Sequence, residues 1–583
     1  MALHYHLTFG SQVIFTYGPL GFLAAGNALG MTTWYGDLAL ISLLNAILVR
    51  YLLSVAILQA ARRTYGLLAG FLLAVVGVAI ASAEFADLSI LLIALVWAAR
   101  TRLDLRTELI VCAVAGGAAA VELLEKVSLG ATAVVMVAIY ALSMNRGRRR
   151  ALSAAAGGAG FVVVLALLWI ALDQPLTALP GYIRVSYEIT SGYSAAMSAT
   201  QSGIGWALTA AFVLGAYGLW AVGHATRDMV TRRRVGVTLL WLLFWFSAFK
   251  EGFVRADSSH AAIFFGAMVG GLFAFRLRWG YRKLGLIGLA MAVCVSLASL
   301  GASFTQVVHP AGSVSAMVSD AHQLISPGDR SKLVRKTRSN VLKAEPLPRG
   351  SLALLRGHTV AIYPEEIAVV WAYRLNWQPL PVLQSYSAYT SWLDNKDAEF
   401  LASRRAPSRL IVQAGWQSID YRFLSFDEPK TALQIFCRYK PLLRNEQYGI
   451  FARTSDRCSR PKPIETIRAA WGQTIHVPTP PGSRWLVIGK ILGTQPSGLE
   501  ALVGALFKPA ERAITIRSTW LRLVPGTAGD GLPLLTSGGV DYPYPYSVTA
   551  EASTFVVTKG SGPQPSSHDA LTYRFFAIRV GRQ

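Results

Sequence analysis

Apolar and polar positions along this chain fall into two regimes. Up to about residue 303, long apolar runs alternate with short polar gaps; from 304 onward the runs are short and broken by Gly, Pro and Ser. Runs such as Leu38–Ala60, Tyr65–Ala83, Ser128–Met144, Ala155–Leu172, Ile204–Gly223 and Leu284–Ser303 approach the roughly 20 residues that a helix needs to cross about 30 Å of hydrocarbon. The series predicts ten spans, at about 38–60, 65–83, 87–99, 107–121, 127–144, 155–172, 204–222, 235–249, 260–275 and 284–303. The third and fourth are short. They read as tilted partners or as a broken, re-entrant pair, which is tolerated only where buried in protein or lining a cavity.

The second regime reads as soluble. Residues 304–350 are polar and basic, a linker with short helices. In residues 351–429, runs at His358–Tyr363 and Arg409–Gln413 predict strands, with helices at Glu365–Leu375 and Ser391–Ser403, a small α/β unit. In residues 430–583, short runs such as Trp485–Lys490, Ala513–Arg517 and Ser553–Thr558 between turn residues predict a β-sandwich, with Pro478–Gly482 as an exposed turn. The expected fold is therefore an α-helical multispan membrane bundle, residues 1–303, followed by an extracytoplasmic α/β plus β-sandwich region.

Composition supports the first regime: 53% of the 583 residues are hydrophobic and 15% charged, where a soluble chain is nearer a quarter charged. The net charge of +23 invites a nucleic-acid reading, but its placement argues against one. Arg62–Arg63, Arg100–Arg106, Arg146–Arg150, Arg227–Arg234 and Arg276–Lys283 follow every second span. That is the positive-inside pattern of cytoplasmic loops. It puts residues 1–36, 84–87, 122–126, 173–203, 250–260 and everything from 304 onward outside a cytoplasmic membrane. Met1–Gly10 lacks the basic and apolar regions of a signal peptide. A chain starting outside needs a helix to bring it there, so one is expected upstream of Met1. Of four cysteines, Cys112 and Cys294 sit in apolar runs as small core residues. Cys437 and Cys458 form a plausible disulfide if the tail is extracytoplasmic.

Candidate chemistry gathers in the outer segments. Lys250-Glu251-Gly252-Phe253-Val254-Arg255-Ala256-Asp257-Ser258-Ser259-His260 brings five ionisable residue types to the mouth of two spans, where such groups default to a functional hypothesis. Asp257 is placed to cap the next helix with His260 one turn on. Asp257 or Glu251 suits a general base, His260 a proton relay or phosphate ligand, and Arg255 and Lys250 phosphate binders. The plainer alternative is a solvated loop with a helix cap and local salt bridges. Glu84 and Asp87, with Glu122, Glu125 and Lys126, would line one cavity, or else form an i,i+4 pair and a cap. Phe15-Thr16-Tyr17-Gly18-Pro19-Leu20-Gly21-Phe22 would wall a lipid-linked substrate site or anchor at the interface. The loop 173–203, with Arg184, Tyr187 and Glu188, suits a sugar or lipid headgroup, or an interfacial helix. Two aromatic stretches, Trp371–Trp392 and Asp541–Tyr546, suit carbohydrate stacking or core packing. No P-loop, GxGxxG fingerprint, HExxH or metal-spaced Cys/His set is present. The outer acidic residues admit a divalent cation without specifying one, and no other cofactor is expected.

Many spans, carboxylates in outer loops and an extracytoplasmic C-terminal domain resemble the GT-C superfamily of membrane glycosyltransferases, which use polyprenyl-phosphate sugars. The resemblance lies in architecture over the whole chain. The motifs Phe15–Phe22 and Lys250–His260 look like those of uncharacterised bacterial membrane proteins. The resemblance implies transfer of a sugar from a lipid phosphate to a cell-envelope glycan acceptor, with membrane lipid and no nucleic acid as partners. The implied base is Asp257, with Glu84 or Asp87 behind it; the implied substrate-binding residues are Arg255, Lys250, Lys126, Arg184 and Tyr17. In that superfamily the acidic residue usually lies in the first outer loop, and residues 1–36 here hold no Asp or Glu. The rival class is a non-catalytic transporter or polysaccharide-binding module.

Overall fold

Ten helices occupy the ten apolar runs in a computed structural model, which describes residues 1–23, 36–275, 282–301, 315, 318–319, 321–322, 325–480, 482–540, 546–560 and 569–581. They are α1 (Gly36–Tyr65), α2 (Leu67–Ile80), α3 (Ala86–Arg100), α4 (Leu105–Glu125), α5 (Val127–Met144), α6 (Gly147–Ala171), α8 (Gly205–Ala225), α9 (Thr231–Phe253), α10 (Ser258–Leu272) and α11 (Arg282–Leu300), with α7 (Leu179–Met197) between the sixth and seventh. Six are long and apolar enough to cross a membrane, or up to seven if α2 and α3 count as one broken span. By that measure the ten expected spans are not all met. α10, at 15 residues, falls below that measure; most of its residues are buried against neighbouring helices, where a helix apolar all round belongs.

The broken pair is α2–α3, bent by 110° at Ser82–Phe85, so it is the second and third runs that pair. The fourth is a full 21 residues, started by Asp104, whose carboxylate accepts the Thr107 N–H. α4 and α6 approach through small residues: a Cβ on Gly116 would lie 2.0 Å from the Gly157 carbonyl, and one on Gly160 2.1 Å from that of Ala113. Such contacts let backbones close where lipid supplies no hydrophobic drive. Leu44, Leu48, Tyr51, Leu68, Phe71 and Leu167 face outward, as a bundle solvated by lipid requires.

The Arg clusters of residues 100–106, 146–150 and 227–234 lie at one end of the bundle. There Arg149 holds the buried Glu108 (2.6 Å), and Arg233 donates to the Met144 and Ala99 carbonyls. The tail packs on the other end. After α12 (Pro327–Ala344), strands β3 (Thr359–Tyr363), β4 (Asn376–Trp377), β5 (Arg409–Gln413), β6 (Tyr439–Arg444) and β7 (Tyr448–Arg453) form one sheet in the order β4-β3-β5-β7-β6. It is flanked by α13 (Ser391–Ala402) and α14 (Pro429–Arg438). The α/β unit thus runs to Arg453, past the expected limit of 429. The helix predicted over Glu365–Leu375 shrinks to Ala368–Ala372.

The sandwich follows: β8 (Lys462–Ala469), β9 (Thr474–His476), β10 (Trp485–Leu492), β11 (Arg512–Ile516), β12 (Thr519–Arg522), β13 (Leu532–Thr536), β14 (Thr554–Lys559) and β15 (Leu571–Arg579). Its two sheets are ordered β13-β10-β15-β8 and β12-β11-β14-β9. Residues two apart, such as Ile514 with Ile516 and Phe555 with Val557, fill the space between. Cys437 and Cys458 are bonded, with Cα atoms 5.4 Å apart. Cys112 is buried as expected, whereas Cys294 is exposed on the bundle flank.

Candidate functional site

Four segments distant in sequence converge at the tail-covered end of the bundle. The junction of α4 and α5 is the single extended residue Lys126, whose buried side chain turns into the bundle. Its ammonium pairs with Glu84, from the α2–α3 bend, and with Glu251, from the last turn of α9, at 2.6 Å. The Tyr17 ring lies 5.5 Å from the same nitrogen, and Tyr17 bridges Lys126 through the backbone. The Gly18 and Leu20 amides donate to the Glu125 and Leu124 carbonyls at 3.0 and 2.9 Å. A Cβ on Gly18 would stand 2.2 Å from the Leu124 carbonyl and 2.3 Å from the Tyr182 hydroxyl, so only glycine lets the N-terminal segment lie this close. Burial pushes the Tyr17 hydroxyl up, and the nearby Lys126 opposes the shift.

Glu84, Asp87, Glu122, Glu125 and Lys126 do gather in one cluster, whose carboxylates interact electrostatically with one another. It is centred on a lysine. Among the described residues, no three of its carboxylates bring oxygens within 4.8 Å of one another. Asp87, Glu122 and Glu125 have no side-chain hydrogen bond or ion pair among the described residues.

The Lys250–His260 motif divides. Glu251 joins the lysine. Asp257 caps α10, accepting from the His260 amide at 2.9 Å, from the His260 ring at 2.9 Å and from Ser259 at 2.6 Å. Although burial opposes it, these bonds hold the Asp257 carboxyl down at about 2, a poor base at neutral pH. The helix-cap alternative therefore describes Asp257 best. Arg255 forms a bidentate pair with Asp420 of the tail, at 2.6 and 2.9 Å. Lys250 donates to the Ala505 carbonyl at 2.7 Å. Beside them, β1 (Ala199–Thr200) pairs in parallel with β2 (Arg255–Ala256). Both expected phosphate binders are thus taken up in docking the tail.

Arg184 stands outside the mouth, on the exposed side of α7, over the Trp392 ring at 5.4 Å and 3.6 Å from Glu188. The other side of α7 packs on the tail: the Tyr389 hydroxyl donates to the Ile189 carbonyl at 2.6 Å. Trp371, Trp377 and Tyr389 are core or interface residues. Asp541–Pro545 lies outside the described residues, while Tyr546 is buried and donates to the Asn445 carbonyl.

Sequence reasoning missed the tail's contribution. Asp420 also lies 3.6 Å from Arg522 and 4.0 Å from Arg422, whose guanidinium reaches Asp427 at 3.4 Å. Burial lowers Arg522 to about 10, with the neighbouring Arg422 adding to the fall. The one local hint was a polar turn, Ser418–Arg422, between apolar stretches; its partners are set only by the tertiary fold. No family model matches this chain, and no curated protein matches it.

Proposed function

We propose that this protein is an integral membrane glycosyltransferase of the cytoplasmic membrane, moving a sugar from a lipid phosphate to an extracytoplasmic glycan acceptor. The observation that supports this most is the meeting of Tyr17, Glu84, Lys126 and Glu251 from four segments under the tail. Charges at membrane depth are expensive, and a bundle assembled only for packing does not collect them. Their position at one end, rather than midway along the helices, fits surface chemistry better than transport. In this reading the base is Glu84, Glu251 or Glu125 rather than Asp257. Lys126 exchanges a carboxylate for the departing phosphate oxygens, stabilising charge as it develops. Tyr17 walls the lipid-linked donor.

The test is transfer in membrane vesicles given a panel of radiolabelled polyprenyl-phosphate sugars. Glu84→Gln, Glu251→Gln and Glu125→Gln are compared with the parent protein. The variant lacking the base loses roughly 10²–10⁴-fold in rate while still reaching the membrane. Parental rates in all three would remove the catalytic assignment. No transfer by the parent from any donor would remove the enzymatic reading.

A further inference from the structure

The loop between β10 and β11 carries a nine-residue helix, α15 (Gly498–Leu506). Leu499, Leu502, Val503 and Leu506 are 76%, 58%, 45% and 54% exposed. Their spacing of i, i+3, i+4 and i+7 puts all four on one stripe. The opposite side is fastened to the sandwich. Glu500 takes Arg512 at 2.7 Å and Lys559 at 2.8 Å, and Gly504 is buried against Pro509. The apolar stripe therefore faces away from the domain that holds the helix.

The helix is also fixed in height against the bundle. Phe507, just past its end, packs at a tilt on Phe249 of α9 with ring centres 5.4 Å apart, and Phe249 packs on Phe212 of α8 at 5.5 Å. Phe212 is exposed on the bundle flank, about two turns below the outer start of α8, where Trp206 is also exposed. Trp at such a level marks a membrane–water interface. Lys508 donates to the Ala199 carbonyl at 3.2 Å, and Lys250 to the Ala505 carbonyl. Through Phe507 the helix is thereby held against the outward-facing flank of α8 and α9 near its outer end, with Lys250 and Lys508 beside it.

We propose that α15 lies in the outer leaflet of the membrane as an interfacial helix, its leucine stripe immersed at the headgroup–acyl boundary. The partner is the lipid surface itself, and the contact sets the height of the tail over the acidic mouth. A short amphipathic helix with Lys508 just past its end and Lys250 of α9 beside it is suited to this position. The inference does not depend on the enzymatic reading.

The test uses full-length protein with Cys112→Ala and Cys294→Ala, in lipid nanodiscs. A spin label is attached through Leu502→Cys or, as a control on the tail surface, through Glu446→Cys. Power saturation compares collisions with oxygen, which concentrates in lipid, and with a water-soluble nickel chelate. The oxygen-to-nickel ratio is expected to be several-fold higher at position 502 than at 446. Equal ratios would overturn the proposal. A label at 502 shielded from both reagents would also overturn it, by pointing to a second copy of the chain covering the stripe.

Discussion

Lys126→Met is expected to cost about 3–5 kcal/mol, the penalty for breaking a buried ion pair by removing one partner. The site makes the loss severe because one ammonium serves two carboxylates, Glu84 and Glu251, and no other cation among the described residues pairs with either. Removing the lysine strands both and leaves them facing Asp87, Glu122 and Glu125, which already crowd the mouth. The effect should be recovered in large part by adding Glu84→Gln and Glu251→Gln, since a neutral, same-shaped set needs no cation. Midpoints of thermal unfolding in detergent, read for the lysine variant, the double glutamine variant and the triple variant, give the coupling. A single variant as stable as the parent would show that the triad carries no strong interaction.

Asp420→Asn is expected to release the tail from the bundle. Asp420 accepts two bonds from Arg255 and stands near Arg522 and Arg422, so its charge serves three guanidiniums. Truncating one member of a buried pair costs about 2–5 kcal/mol; Asp420 and Arg255 are half-buried, but Arg422 and Arg522 are buried and would be left short of a countercharge. Asparagine is the informative replacement. Asp420 has a φ of 54°, a left-handed conformation that Asn tolerates and Ala does not, so only the charge is removed. Hydrogen exchange should rise across β1, β2 and the 418–422 turn, while β10 and β15 in the sandwich core stay protected. Unchanged protection at β1 and β2 would show that docking does not depend on this charge and rests on the remaining contacts, such as Ile189 and Val185 of α7 against Tyr389 and Lys508 on the Ala199 carbonyl.

What could be read in the chain follows from the range of the forces involved. Helices were legible because lipid imposes a length and a composition on each one separately. Strands at Thr359–Tyr363, Arg409–Gln413 and Trp485–Leu492 were legible because their alternation and flanking turns are local. The convergence of Glu84 and Lys126 could be anticipated from topology, since both sit in gaps on the same side. The fates of Asp257 and Arg255 could not be settled that way. Cap and catalytic base share a residue type and a position, and only the number of bonds Asp257 accepts separates them. Arg255 meets a partner 165 residues away, and no periodicity carries that pairing. The α/β boundary was misplaced for a related reason: β6 and β7 complete a sheet begun by β3, a non-local pairing that looks locally like more sandwich.

The proposed topology puts the acidic mouth and the tail outside together, opposite the Arg clusters. Single cysteines at exposed positions, Glu446→Cys in the tail and Arg148→Cys at the start of α6, test it in intact cells with a membrane-impermeant maleimide. In a background lacking Cys112 and Cys294, the label should reach position 446 at once and position 148 only after the membrane is opened. Labelling of 148 but not 446 in sealed cells, or of both alike, would contradict the account.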